Sequence, residues 1–260
     1  IPDLQGETYA SVAAKIAEDD GLRARLVAAI ASAIDGGESE AEDNDMMKMT
    51  EQMWECIAKK VFGKTTFTYQ GKTFDLKTPW KRMTMKEALK THAKIDVDRL
   101  HDHDLQDLLT THNIEYDGDF TRGLGIQLLF EELVEDKLVG PVFILDHPRE
   151  STPLCKKKRG DDALIERFEP YLCGMEVGNA YSELNDPLVQ KKLLEEQAQQ
   201  LRAGNEEAHP YDADFIEALE VGMPPTAGLG VGIDRMAMLL TDSPSIRDVL
   251  AFPFMKPEED

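Results

Sequence analysis

Cysteine is scarce in this chain: three residues in 260, Cys56, Cys155 and Cys173, without CxxC spacing. An odd set of three argues against a disulfide framework or structural zinc and suits a reducing compartment. No apolar run approaches the roughly 20 residues needed to span a bilayer, and no basic-then-apolar leader opens the sequence, so it reads as a cytoplasmic protein with no membrane partner. Basic residues are also few. Against 50 Asp+Glu there are 29 Lys+Arg, a net charge of −21. Such a surplus repels phosphate and excludes a protein that simply coats nucleic acid. It leaves room for a local basic face, and Lys156, Lys157, Lys158 and Arg159 are the one basic cluster. Neither GxSxG nor HExxH occurs, and nothing assembles a nucleophile with a base, so covalent hydrolase chemistry has no support. What is present is enough apolar material, 42% of residues, for a real core. The start at Ile1 rather than Met reads as a processed product or a piece of something longer.

Residues 1–42 differ from the rest. They are Ala-rich, with apolar residues at helical spacing (Val12, Ile16, Leu22, Leu26, Ile30), and end in a Gly-and-acid stretch at 36–43 that reads as a solvated linker. Residues 43–260 read as one α+β domain with a mainly antiparallel sheet flanked by helices and a helical insertion at about 80–137. A helix is expected from Asp45 to Phe62, with Asp45 as N-cap and Gly63 just past its end. Gln70-Gly71 marks a hairpin turn. Thr84-Met85-Lys86-Glu87 is a capping box. Asp186-Pro187 opens a long amphipathic helix.

Two stretches carry chemistry. In Gly228-Leu229-Gly230-Val231-Gly232-Ile233-Asp234-Arg235 the glycines recur with period two. On a strand they line one face, which lets a flat group approach the backbone, and Arg235 follows at the start of a helix, placed to stack on a base or pair with a phosphate. Tight packing of helix on sheet, with Arg235 in a structural salt bridge, fits the spacing equally well. In the second stretch, residues 165–183, a two-residue turn at Cys173-Gly174 pairs Tyr171 with Glu176 and puts Glu169 on their face. Glu169 and Glu176 then become diagonal neighbours able to share a hard cation such as Mg²⁺. A solvated acidic hairpin is the plain alternative. Strict alternation leaves Asn179 and Glu183 on the other face, and a β-bulge at Gly178 would bring them to the same one. The run His101-Asp102-His103-Asp104 reads as solvated surface, and Met46, Met47, Met49 and Met53 as packing.

Gly228 to Arg235 resembles the third signature motif of class II aminoacyl-tRNA synthetases. Gly174 to Asp186 resembles the lysine-specific form of that catalytic domain, as do Thr84-Met85-Lys86-Glu87-Ala88, Ser151-Thr152-Pro153-Leu154 and Ile246-Arg247-Asp248-Val249. The resemblance runs from about residue 44 to 257. It implies ATP-dependent attachment of lysine to tRNA through lysyl-adenylate, with Mg²⁺ held by Glu169 and Glu176. It implies that Glu169, Glu176, Asn179, Gly228, Gly230, Gly232 and Arg235 bind ATP, that Glu176, Asn179, Tyr181 and Glu183 bind lysine, and that Arg235 and Glu176 are catalytic. Glu183 would meet the substrate ε-ammonium. The family is homodimeric, but its first motif, which builds the dimer interface, has no counterpart in the chain. The same is true of its second motif and its anticodon-binding barrel. A degenerate relative that binds lysine or ATP without charging tRNA, or a non-catalytic interaction module, is the alternative reading.

Overall fold

A computed structural model describes residues 39–202 and 208–253. The Ala-rich helices expected before residue 35 lie outside the described residues. The first described element is helix α1 (Ser39–Phe62). It begins ahead of the expected start at Asp45 and takes in part of the stretch read as linker. Glu and Ala are strong helix formers, so this sequence continues a helix rather than ending one. Gly63 closes α1 as expected, with φ of 73° and its N–H donating to the Lys59 carbonyl.

Strands β1 (Thr66–Tyr69) and β2 (Lys72–Asp75) form the expected hairpin, with positive φ at both Gln70 and Gly71. Strand β3 (Lys81–Thr84) belongs to the main sheet, so the stretch expected to be helical from about residue 80 becomes so only after it. Thr84 and Glu87 form the reciprocal capping box and open the short helix α2 (Met85–Ala88). Helices α3 (Asp102–Thr111) and α4 (Arg122–Leu133) follow, then strand β4 (Val142–Leu145). Strands β5 (Arg167–Leu172), β6 (Met175–Glu176) and β7 (Gly178–Ser182) precede helices α5 (Pro187–Arg202) and α6 (Ala213–Val221). Strand β8 (Ala227–Val231) runs into helix α7 (Ile233–Thr241). Among the described residues no helix is long and apolar enough to cross a membrane.

The main sheet has the order β3-β4-β5-β7-β8, with β6 also on β5. It is antiparallel except for β3 beside β4. One face is wholly covered: Phe143, Phe168, Leu172, Val177 and Ala180 pack with Trp54 of α1, the β1–β2 hairpin, and Met236 and Leu239 of α7. The other face is covered at one end only. There Met83, Val142, Ile144 and Tyr171 pack against Leu89, Leu105, Leu129 and Phe130 of the helical segment. At its other end, over β7 and β8, this face carries the residues singled out by sequence.

Candidate active site

The bulge expected at Gly178 determines what the face contains. Tyr171 pairs with Glu176, but Phe168 pairs with Ala180, so β6 and β7 together hold one residue more than β5. Val177 and Gly178 are the two residues facing Pro170, and the Val177 N–H donates to the Pro170 carbonyl at 2.8 Å. Only glycine fits the bulge. A Cβ at Gly178 would lie 2.8 Å from the Gly230 carbonyl oxygen and 3.2 Å from Pro170 Cγ. The proline in a central strand is tolerated for the same reason, because the ladder is already interrupted there. Beyond the bulge the side chains switch face, and Asn179 and Tyr181 join Glu169 and Glu176.

The register of β7 on β8 sets Tyr181 against Gly228 and Asn179 against Gly230, while Leu229 and Val231 face the covered side. The alternation of glycines therefore does form a bare floor. The three glycines do not share one task. Gly230 and Gly232 line a cleft of about 330 Å³ together with Glu176, Asn179 and Arg235. Gly228 lies outside that lining, directly beneath the carboxylate of Glu183. A second cavity, about 390 Å³, between α5 and Tyr211 touches none of the predicted residues.

Arg235, in the first turn of α7, donates from Nη1 to the Glu176 carbonyl at 2.6 Å, and its Nη1 stands 3.7 Å from Glu176 Oε2. Both side chains are partly exposed, so this pair contributes little to stability and leaves the guanidinium free to serve a ligand. Glu169 is buried. Its Oε1 accepts from Arg167 Nη2 and its Oε2 from the Tyr171 hydroxyl at 3.0 Å. Arg167 also donates from Nε to Asn179 Oδ1 at 3.1 Å, which turns the Asn179 amide nitrogen, a donor, away from Arg167. The sequence reading assigns no role in the site to Arg167, Tyr171 or His147. The signal for the first two was available, since alternation along β5 puts Arg167, Glu169 and Tyr171 on one face.

The electrostatics match an anionic pocket waiting for cations. Burial pushes Glu169 up, against the pull of Arg167. Burial and then the Glu169 charge push Glu176 up. Glu135, also missed by sequence, is pushed up to about 7 by burial and by the charges of Glu131, Glu169 and Glu176. Burial raises Glu183, and burial followed by the charge of Glu183 raises Tyr181. Glu183 is fixed through its backbone. Its N–H donates to the Thr226 carbonyl at 2.9 Å, and it bridges to Cys155, next to the Leu184 bond to Leu154. Its carboxylate has no hydrogen-bond or ion-pair partner among the described residues.

Whether Mg²⁺ suits Glu169 and Glu176 is a matter of donor chemistry. Both supply hard oxygens on one face, and the burial and Glu169 charge that raise Glu176 are costs a cation relieves. Among the described residues no group of three or more His, Cys, Asp or Glu is arranged to cage a metal. The protein would thus offer two carboxylates and leave the remaining positions to phosphate and water, the usual habit of Mg²⁺ at nucleotides.

His147 backs this arrangement. It is 2% exposed, its Nε2–H donates to the Ile144 carbonyl at 3.2 Å, and it stands 3.8 Å from Glu169 Oε2. Burial, then the Arg167 charge, lowers it to about 3. A base held neutral this way adds stability above its unfolded value near 6.5 and loses it as pH falls toward 3. In urea unfolding, the parent chain is expected to lose about 1–2 kcal/mol more than His147→Gln between pH 6.5 and pH 5. Equal losses would show that His147 is not held neutral.

A family model, tRNA synthetases class II (D, K and N), matches residues 33–256. The chain is similar to proteins named lysine–tRNA ligase. It is 48% identical over 232 residues to that of Clostridium perfringens (strain 13 / Type A), covering 88% of this chain and 46% of the relative. It is 48% identical to that of Clostridium novyi (strain NT) over 87% and 45% of the two chains, and to that of Thermoanaerobacter sp. (strain X514) over 83% and 43%. The chain thus spans about half the length of the curated relatives it matches.

Proposed function

Since the chain belongs to the class II tRNA synthetases (D, K and N), we propose that its cleft binds ATP and lysine and joins them as lysyl-adenylate, for transfer to tRNA in the cytoplasm. The observation that carries this reading is the Glu183 carboxylate. It is half-buried, it has no cationic partner among the described residues, and it stands on the same sheet face as a glycine-floored cleft closed by Arg235. A carboxylate so placed favours a cationic ligand over uncharged analogues, which would cover it and leave it unpaired.

In the proposed reaction a lysine carboxylate oxygen attacks the α-phosphorus of ATP. The bond to the bridging oxygen breaks, and pyrophosphate leaves. A ribose hydroxyl at the 3′ end of tRNA then attacks the lysyl carbonyl and displaces AMP. The chain's own groups act by position and charge. Gly230 and Gly232 admit the nucleotide against the backbone, and Arg235 neutralises charge on the phosphates. Asn179, turned by Arg167, offers N–H donors to a ligand oxygen. Tyr181 and Glu183 hold the ε-ammonium. Glu169 and Glu176 would hold Mg²⁺, which supplies charge neutralisation along the triphosphate.

Isothermal titration of the chain tests the binding half of this reading. Saturable binding of lysine and of ATP in Mg²⁺ is expected, with norleucine, which lacks the ammonium, failing to compete for the lysine site. Absence of lysine binding would refute the reading, and binding without adenylate formation would favour a degenerate relative.

A further inference from the structure

We propose that Gly228 is the seat of the Glu183 carboxylate and so sets the length of the cationic side chain that the site accepts, an inference that rests on the lysine-site reading above and extends it. A Cβ at position 228 would lie 2.3 Å from Glu183 Oε1 and 3.4 Å from Glu183 Cδ, and, its chain neighbours aside, no other heavy atom of the described residues lies within 4 Å of it. Backbone conformation does not demand the glycine, because its φ is not positive. Nor does it border the cleft. Glycine inside a strand weakens it and needs a reason, and the close approach of Glu183 is the one visible here.

The neighbouring glycines show the contrast. Among the described residues beyond its chain neighbours, a Cβ at Gly230 would meet the Asn179 carbonyl alone, at 3.6 Å. One at Gly232 would meet nothing nearer than the Val177 carbonyl, also at 3.6 Å. Both are ordinary contacts. A Cβ at Gly232 would also meet Arg235, but only at 3.7 Å from its Cβ and 3.8 Å from its Cδ, so of the three alternating glycines Gly228 alone has a functional side chain closer than van der Waals contact allows.

The consequence follows from which atom is crowded. Glu183 Oε1 is the end of a flexible side chain whose backbone is pinned by Thr226 and Cys155. A methyl group at 228 therefore disturbs the carboxylate rather than the sheet. The oxygen has to retreat by about 1 Å to regain normal contact, a step comparable with one methylene of a ligand. It retreats away from the sheet floor, into room that the ammonium would occupy. Lysine then becomes too long, and a diamine shorter by one methylene, ornithine, fits better.

The test compares Gly228→Ala with the parent chain in two measurements. Carboxyl-resolved ¹³C NMR follows the Glu183 signal, assigned with Glu183→Gln, and reads the seat without any ligand. Titration calorimetry measures lysine, ornithine and ATP. Expected are a displaced Glu183 signal, a lysine affinity lowered about tenfold or more, a lysine-over-ornithine preference reduced by at least that factor, and a far smaller change for ATP. An unmoved Glu183 signal, or an unchanged lysine-over-ornithine preference, overturns the seat. The two readings fail differently. If the parent chain binds no lysine, the lysine site falls whatever the NMR shows. If it binds lysine and Gly228→Ala leaves both the signal and the preference untouched, the lysine site stands and the seat falls.

Discussion

Glu183→Gln is expected to weaken lysine binding about a hundredfold, some 3 kcal/mol, while ATP affinity changes by less than about threefold. The substitution keeps shape and one acceptor oxygen but removes the charge. The loss should be large because the charge is half-buried and unpaired among the described residues, so the ligand ammonium is its natural counter-ion and both are desolvated together. The sign of the pH dependence follows. Burial holds the Glu183 pKa above the ordinary glutamate value of 4.5. Lysine affinity of the parent chain should therefore fall on acidification, starting at a higher pH than an exposed glutamate would give, and the affinity of Glu183→Gln should stay flat over that range. Equal loss of lysine and ATP binding would mean that position 183 supports the site as a whole rather than the ammonium.

Arg235→Ala is expected to lower lysine-dependent adenylate formation by about 10²–10³-fold, the range seen when one donor to a developing anion is removed. Two features give Arg235 this weight. It lies in the first turn of α7 just after the glycine floor, and it reaches across to the Glu176 carbonyl, so it closes the cleft and positions β6 at once. In the free protein its ion pair with Glu176 is partly solvated and weak. Its value appears when a nucleotide covers it and lowers the local dielectric. Arg235→Lys should recover little, since an ammonium lacks the planar fork that can hold the Glu176 carbonyl and a phosphate oxygen together. A variant rate within a few-fold of the parent would remove Arg235 from the reacting centre.

Much of this site was legible in the sequence where local chemistry decides geometry. The paired turn residues Cys173-Gly174, the capping box at Thr84 and Glu87, and the period-two glycines each specify a backbone shape that the structure adopts. The bulge was legible for a different reason. Glu176 and Asn179 are an odd number of residues apart, and only one extra residue in the ladder puts both on one face. What stayed hidden were partnerships across strands and from distant segments. Arg167 reaches both Glu169 and Asn179, Glu135 adds its charge from the short 3-10 turn after α4, and His147 stands beside Glu169 from the segment after β4. Local spacing puts Arg167 on the face of Glu169, but nothing in it encodes the reach to Asn179 or the approach of Glu135 and His147. The parallel pairing of β3 with β4 was hidden for the same reason, because a long helical excursion separates the two strands. The early start of α1 is not legible because a Gly-and-acid stretch fits a solvated linker as well as the beginning of a helix.

The most direct measurement is lysine-dependent exchange of labelled pyrophosphate into ATP by this chain in Mg²⁺. If a carboxylate seated for an ammonium and a glycine floor closed by Arg235 form one working cradle, label enters ATP when lysine is present and not when norleucine replaces it. Glu183→Gln and Arg235→Ala should each suppress that incorporation. Incorporation that ignores which amino acid is supplied, or none at all from a folded chain, would contradict it.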